Sequence, residues 1–200
     1  YIPLQSFNES AAEDVARALL DLKRRGARSY VLDLRQNGGG SLDQALDISD
    51  LFLKPGQEIV QVRHRGRTPD IANATRPSMI DSTPVVVMVD GATASASEIV
   101  AGALQDHDRG LVVGTTSFGK GLVQTLFPIE GGWAIKLTTG KWYTPSGRSI
   151  QAEHDRLGDD RFVEYAAGTV PGDSMRKRPV FKSDAGRTIL GGGGITPDVV

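Results

Sequence analysis

The sequence contains no cysteine, which excludes disulfides, thiol catalysis and thiolate metal sites. It also lacks an apolar run of membrane-spanning length, an initial methionine and a charged leader followed by an apolar stretch. Neither sign of charge dominates, because 23 basic and 24 acidic residues leave a net charge of -1. This balance argues against nucleic acid or an anionic membrane as a partner. We expect a piece of a longer protein, in which any membrane association depends on segments outside these 200 residues.

The 200 residues are enough for one domain with a substantial core. A short strand near the start is followed by a helix whose apolar face contains Val15, Leu19 and Leu22, and then by a strand at 29–34. This order is typical of a parallel α/β sheet. We predict a single domain over 1–200 with an exposed polar insertion at 152–190. Residues 70–82 are predicted to be irregular, and the closing residues 191–200 are predicted to be a loop that returns to an edge strand.

A serine follows the most apolar strand of the sequence. Residues 85–89 predict a buried strand, and a helix is predicted from about Ser95 to Asp106. The first N–H groups of a helix have no intrahelical partner and carry the positive end of its dipole, so they stabilise an oxygen that gains negative charge. Ser95 is therefore a candidate nucleophile. The alternative is that Ser95 or Ser97 simply caps the helix.

Three glycines, Gly38 to Gly40, follow the predicted strand at 29–34. Glycines let the backbone adopt positive φ and approach a ligand with bare N–H groups, so this turn could bind an anion. The alternative is an ordinary tight turn. Dinucleotide binding is disfavoured, because Asp43 stands where the fingerprint requires its third glycine.

A second glycine loop resembles a phosphate-binding loop, since Gly114 is separated by four residues from Gly119 and Lys120. A true P-loop needs Ser or Thr after the lysine and then a helix. Here Gly121 follows, and residues 122–127 and 133–137 predict a β-hairpin. These departures argue against nucleotide binding.

A serine nucleophile needs a base. His107, on the same predicted helix, would lie about 18 Å from Ser95 along the axis and cannot serve. Lys120 can serve if desolvation lowers its pKa from about 10.4 to about 7 to 8. The alternative for Lys120 is a solvated surface charge.

Five motifs, in the same order, resemble those of the C-terminal processing (tail-specific) serine peptidases. They are DLRQNGGG at 33–40, GATASASEI at 91–99, FGKGLVQ at 118–124, YTPSGRSIQ at 143–151 and GITPD at 194–198. The resemblance implies an α/β fold of the crotonase and Clp-protease-like type, with a mainly parallel sheet, flanking helices and a β-hairpin. It also implies Ser95 as nucleophile, Lys120 as general base and Gln124 as the residue that orients the lysine. Lys120 and Gln124 are four residues apart, so on a strand both side chains would lie on one face.

The same resemblance implies an oxyanion hole made by the backbone N–H groups of Gly39 and Ala96. Glu98 would support the lysine or the serine turn, unless it only caps the helix. Arg35 and Asn37 match the family motif and are expected to fix the glycine turn.

The resemblance further implies a serine endopeptidase that cleaves polypeptides near unstructured C-termini through an acyl-enzyme, with no metal or organic cofactor. Its expected setting is the bacterial envelope or periplasm, or the plastid lumen. Family members usually carry a PDZ domain, which is absent from this chain and expected in the parent protein. The alternatives are a catalytically silent peptide-binding or scaffold module of the same fold, and an acyl-CoA enzyme of the crotonase type.

Overall fold

Two four-stranded sheets form the framework in a computed structural model that describes residues 1–152 and 178–200. The helices are α1 (Ala11–Arg24), α2 (Leu42–Asp50) and α3 (Ala96–Asp106). The strands are β1 (Ile2–Pro3), β2 (Tyr30–Asp33), β3 (Glu58–His64), β4 (Asp70–Asn73), β5 (Val85–Val89), β6 (Leu111–Gly114), β7 (Leu122–Pro128), β8 (Ala134–Tyr143), β9 (Val180–Lys182) and β10 (Thr188–Leu190).

The first sheet is entirely parallel, with strand order β1-β2-β5-β6. Leu32, Val87 and Val112 lie side by side in its register and are all completely buried. Parallel strands that are covered on both faces are continuous apolar runs, which is the pattern of residues 85–89. The predicted α/β architecture with a parallel sheet and flanking helices is confirmed.

Helix α3 lies in the centre of the fold, and all of its residues are buried. Its sequence, ASEIVAGALQD, has small or apolar residues on every side, so it can be enclosed by neighbouring elements. Helix α1, in contrast, buries only Ala11, Val15 and Leu19 and turns a charged face outward. None of the helices in the two described stretches is long and apolar enough to cross a membrane.

The second sheet is antiparallel, with strand order β4-β3-β8-β7. The predicted hairpin is present as β7 and β8. The sequence predicted irregular structure over 70–82, and this is wrong at β4, which pairs with β3. Its four residues are mostly exposed, so they show no apolar alternation, and backbone pairing alone makes them a strand.

The C-terminal region returns to the core. Of the exposed insertion expected at 152–190, residues 153–177 lie outside the described part of the chain. Strands β9 and β10 form an antiparallel pair, in which Ile189 is only 3% exposed. The end of the chain then makes a parallel bridge from Val199 to Val113 at the edge of the first sheet, where the sequence predicted an edge strand.

Candidate active site

The candidate site lies at the carboxyl edge of the parallel sheet. Strands β2, β5 and β6 run in the same direction, so the segments that follow them meet at one edge. These segments are the glycine turn at 34–40, the serine turn at 90–95 and the lysine loop at 115–120. This edge is where ligands bind in open α/β sheets.

Ser95 occupies the N-cap of α3 with φ 57° and ψ -115°, a backbone conformation that residues with a side chain rarely adopt. Such a conformation costs about 1–3 kcal/mol and persists only where the surroundings enforce it. The enforcing contacts come from Asn37, whose carbonyl accepts the Ala94 N–H at 3.0 Å and the Ser97 hydroxyl at 2.9 Å. The predicted position of Ser95, between a core strand and a helix, is confirmed.

The glycine turn touches the serine turn. A Cβ on Gly39 would lie 2.8 Å from the Ala94 carbonyl oxygen, 2.9 Å from the Ser95 Cβ and 3.0 Å from the Ala96 nitrogen. Gly39 also has φ +98°, in the region that favours glycine. Only a residue without a side chain can bring its backbone this close to Ser95.

The N–H groups of Ala96 and Gly39, the two expected oxyanion donors, differ in the hydrogen-bond acceptors that they have in the structure. The Ala96 N–H belongs to the first residue of α3 and has no intrahelical acceptor. The Gly39 N–H donates to the Asn37 Oδ1 at 2.9 Å. Asn37 is fully buried, and its Nδ2 donates to the Leu4 carbonyl at 2.7 Å. The structure thus brings both donors beside Ser95, with one of them already engaged by Asn37.

Arg35 holds the start of the glycine turn, as expected. Its guanidinium donates to both carboxylate oxygens of Asp33, at 3.0 and 2.8 Å, and its backbone N–H also donates to this carboxylate. The Tyr1 hydroxyl adds a hydrogen bond of 2.6 Å. The Arg35 hydrogen bond is the main cause that lowers the pKa of Asp33 to about 2, so this carboxylate stays ionised at neutral pH.

Glu98 connects the serine turn to the lysine loop and is completely buried. Its Oε1 accepts the Ser117 hydroxyl at 2.5 Å and the Gly119 N–H at 2.7 Å. Its Oε2 accepts the Ser95 N–H at 2.8 Å and the Lys120 N–H at 2.9 Å. Burial raises the pKa of Glu98, while these hydrogen bonds act in the opposite direction. Glu98 therefore caps α3 and also holds the lysine loop, which unites the two roles that the sequence left open.

The main chain of Lys120 is fixed on two sides. Its N–H binds Glu98, and its carbonyl accepts the indole N–H of Trp142 at 3.1 Å, where Trp142 is 3% exposed. Lys120 as a residue is half-buried. Within residues 1–152 and 178–200, the Lys120 Nζ and the Ser95 Oγ do not form a hydrogen bond with each other. The fold places the lysine loop beside the serine turn without joining the two side chains.

Gln124 lies on β7, opposite Thr138, and is exposed. The sequence argument placed Lys120 and Gln124 on one face of a single strand, and this argument is wrong. Lys120 precedes β7, and the ladder shifts register between Val123 and Gln124. The orienting role of Gln124 stays a prediction.

The two described histidines, His64 and His107, are not bonded to the groups of the site, and the His64 ring contacts the Thr139 carbonyl and Asp70. His107 caps the far end of α3, where its ring contacts Asp184 and the Glu58 carbonyl. His154 lies outside the described residues. In the described ranges, no three side chains among His, Asp and Glu come together as a metal site.

Sequence reasoning missed three groups that shape this site: the Ser117 hydroxyl, the Trp142 indole and the Asn37 carbonyl. Each acts through a contact between segments that are distant in the chain, with separations of 19, 22 and 60 residues. No local pattern marks such contacts. The only available signal was that all three belong to residues inside recognised motifs or directly next to them.

Comparison with known proteins gives a consistent result. The model of peptidase family S41 matches residues 1–158. A carboxy-terminal-processing protease of Bartonella bacilliformis is 46% identical over 156 residues, which are 76% of this chain and 36% of that protein. A chloroplastic C-terminal processing peptidase of Tetradesmus obliquus is 33% identical over 191 residues, 96% of this chain and 40% of that protein.

A solved structure of a photosystem II D1 C-terminal processing protease is also similar. It superposes with a TM-score of 0.70 and 36% identity, covering 74% of this chain and 38% of that protein. The chain therefore spans about two fifths of the length of these three relatives, 36%, 40% and 38% respectively.

Proposed function

Since the chain belongs to peptidase family S41, we propose that it is the catalytic core of a serine endopeptidase that cleaves polypeptides near their C-termini. One observation carries this proposal. The buried Glu98 carboxylate binds the backbone of both Ser95 and Lys120, and so it holds a hydroxyl and an amine on neighbouring segments.

In the proposed mechanism, the Lys120 amine accepts the proton of the Ser95 hydroxyl as the oxygen attacks a peptide carbonyl. The protonated amine then gives this proton to the leaving amine, and an acyl-enzyme remains on Ser95. Water, deprotonated by the same lysine, hydrolyses the ester. Lys120 must be uncharged to begin this cycle, because only a neutral amine can accept the serine proton.

The tetrahedral intermediate carries an oxyanion, for which the proposed donors are the N–H groups of Ala96 and Gly39. Ala96 supplies a donor at the positive end of α3. The Gly39 N–H must be released by Asn37, or be shared between Asn37 and the substrate, before it can act. Loss of one such donor typically costs about 3 to 4 kcal/mol of transition-state stabilisation.

Gly39→Ala is expected to lower kcat by about 100-fold or more, the effect of losing an oxyanion donor. The new Cβ would meet backbone atoms at 3.0 Å or less, so the glycine turn must move away from Ser95. The measurement is kcat for peptide cleavage. Gly38→Ala is the matched control, because its Cβ would meet nothing within 4 Å. Equal activity of the two variants would contradict the role of Gly39.

The proposed substrates are unstructured polypeptides with apolar ends. Among the described residues β7 is an edge strand, and it begins two residues after Lys120. An edge strand presents unpaired N–H and C=O groups that can bind an extended chain. Leu126 and Phe127 on this strand are 65% and 43% exposed, so apolar contacts are available next to the pairing edge.

We also propose the setting of the whole protein. A bacterial and a chloroplastic processing protease are among the relatives, which supports a bacterial envelope or a plastid lumen. A PDZ domain elsewhere in the parent protein would present substrate tails to this core. The described helices provide no membrane span of their own.

The proposal is tested by incubating the full-length protein with an unfolded polypeptide that has an apolar C-terminus and identifying the fragments by mass spectrometry. We expect release of intact C-terminal peptides from one or a few internal bonds. Removal of single residues from the end would indicate a carboxypeptidase instead. No cleavage under any condition would favour the non-catalytic scaffold.

A further inference from the structure

The GITPD motif at 194–198 has no part in the chemistry described above, yet it packs against the lysine loop. The Ser117 N–H donates to the Ile195 carbonyl at 3.0 Å, and the Ile195 N–H donates to the Ser117 hydroxyl oxygen at 2.7 Å. Ile195 is completely buried and Ser117 is 3% exposed. The C-terminal segment and the lysine loop are therefore paired inside the protein.

The direction of the Ser117 hydrogen bonds follows from these partners. An N–H can only donate, so the Ile195 N–H uses a lone pair of the Ser117 oxygen. The single hydroxyl proton then points to the Glu98 Oε1, 2.5 Å away. A continuous chain of hydrogen bonds thus runs from Ile195 through Ser117 to Glu98, and from Glu98 to the backbones of Ser95 and Lys120.

Close backbone packing reinforces this pairing. A Cβ on Gly194 would lie 2.2 Å from the Ser117 carbonyl oxygen. A Cβ on Gly119 would lie 2.7 Å from the Ala152 Cβ and 2.9 Å from the Gly194 nitrogen. The lysine loop therefore lies between Glu98 on one side and the C-terminal segment on the other, with no room for a side chain at either glycine.

The C-terminal segment is itself anchored to elements that carry the site. Gln105, near the end of α3, donates from Nε2 to the Thr196 carbonyl at 2.9 Å. The Asp198 carboxylate accepts the Val112 N–H of β6 at 2.8 Å. Ser95 lies at the start of α3, and the lysine loop follows β6. The C-terminal segment therefore binds the two elements that carry these groups, in addition to its direct contact with the lysine loop.

We propose that Ser117 is a positioning residue that couples residues 194–198 to the catalytic lysine through Glu98. This inference rests on the proposed function, in which Lys120 acts on Ser95. Without the Ser117 hydroxyl, a buried carboxylate loses one of its four donors and the Ile195 N–H loses its acceptor. The lysine loop then keeps its backbone bond to the Ile195 carbonyl but loses the side-chain link that joins the C-terminal segment to Glu98, although no group that touches substrate has changed.

The test compares Ser117→Ala with Ser183→Ala in the full-length protein. Ser183 is a matched control, since it is 6% exposed and its oxygen accepts the Arg187 N–H at 3.0 Å, but it is bonded to none of the catalytic groups. Ser117→Ala is expected to lower kcat by about 10- to 100-fold, the effect of losing a hydrogen bond to a charged group. Its KM is expected to stay within about twofold of the parent, because substrate contacts are unchanged. Ser183→Ala is expected to keep both constants.

Hydrogen exchange provides a second readout that does not depend on activity. Ser117→Ala is expected to speed exchange of the Gly119 and Lys120 amides, which bind Glu98, while Ser183→Ala leaves them protected. Unchanged kcat and exchange in Ser117→Ala would overturn the inference, and so would an equal loss of kcat in Ser183→Ala. If the parent protein cleaves nothing but the exchange changes as expected, the proposed function fails while the coupling stands.

Discussion

Ser95→Ala is expected to reduce peptide cleavage by at least about 10⁴-fold, as in serine peptidases that lose their nucleophile. The strained turn places Ser95 at the carboxyl edge of the sheet, beside the Gly39 and Ala96 backbone. If Ser95 forms the acyl-enzyme as proposed, its loss leaves only stabilisation by the oxyanion donors. The thermal midpoint is expected to stay the same or rise, because alanine removes no buried contact. Initial cleavage rates and calorimetry measure the two effects.

Ser97→Ala is the matched control for this variant. Ser97 is fully buried, and its hydroxyl donates to the Asn37 carbonyl, so its loss should destabilise the fold by about 1 kcal/mol. At a temperature where it is folded, the variant should lose far less activity than Ser95→Ala, because it removes one of the two contacts that enforce the serine turn but leaves the nucleophile in place. If Ser97→Ala were inactive and Ser95→Ala active, the nucleophile would be misassigned.

Lys120→Ala is expected to reduce kcat by about 10³- to 10⁴-fold, with partial recovery at high pH where hydroxide can replace the base. The loss should be chemical rather than structural, since the contacts that fix residue 120 come from its backbone N–H and carbonyl. His107 cannot substitute, because it lies at the opposite end of α3. The measurement is a pH profile of kcat together with the thermal midpoint.

Lys136→Ala provides the control for charge, because Lys136 is an exposed lysine in the middle of β8. It is expected to keep parental kcat at every pH. A Lys120→Ala variant that cleaves within tenfold of the parent would mean that another group accepts the serine proton. A similar loss in both variants would mean that the effect is one of net charge.

The elements that carry the site could be predicted from the sequence because their signals are local. The apolar run at 85–89 and the helix start after Ser95 each follow from a short stretch, and both appear as β5 and α3. Strand β4 could not be predicted, since its exposed residues become a strand only by pairing with β3. Local patterns thus identified β5, whose residues are apolar because the strand is buried, and missed β4, which is a strand only through its backbone pairing.

The internal arrangement of the site was less accessible from sequence. The family resemblance named Gly39, Ala96 and Glu98, but it did not show that Asn37 already accepts the Gly39 N–H. Nor did it show that Glu98 receives four hydrogen bonds from two separate segments. These contacts depend on how the turns after β2, β5 and β6 pack together, which spacing along the chain does not encode.

The most direct test of the account is covalent labelling of the full-length protein with a fluorophosphonate, followed by peptide mass mapping over a range of pH. We expect a single adduct on Ser95, with a rate that rises through one ionisation and falls at least about 100-fold in Lys120→Ala. An adduct on a different residue would contradict it. So would a Ser95 labelling rate that is the same with and without the Lys120 amine.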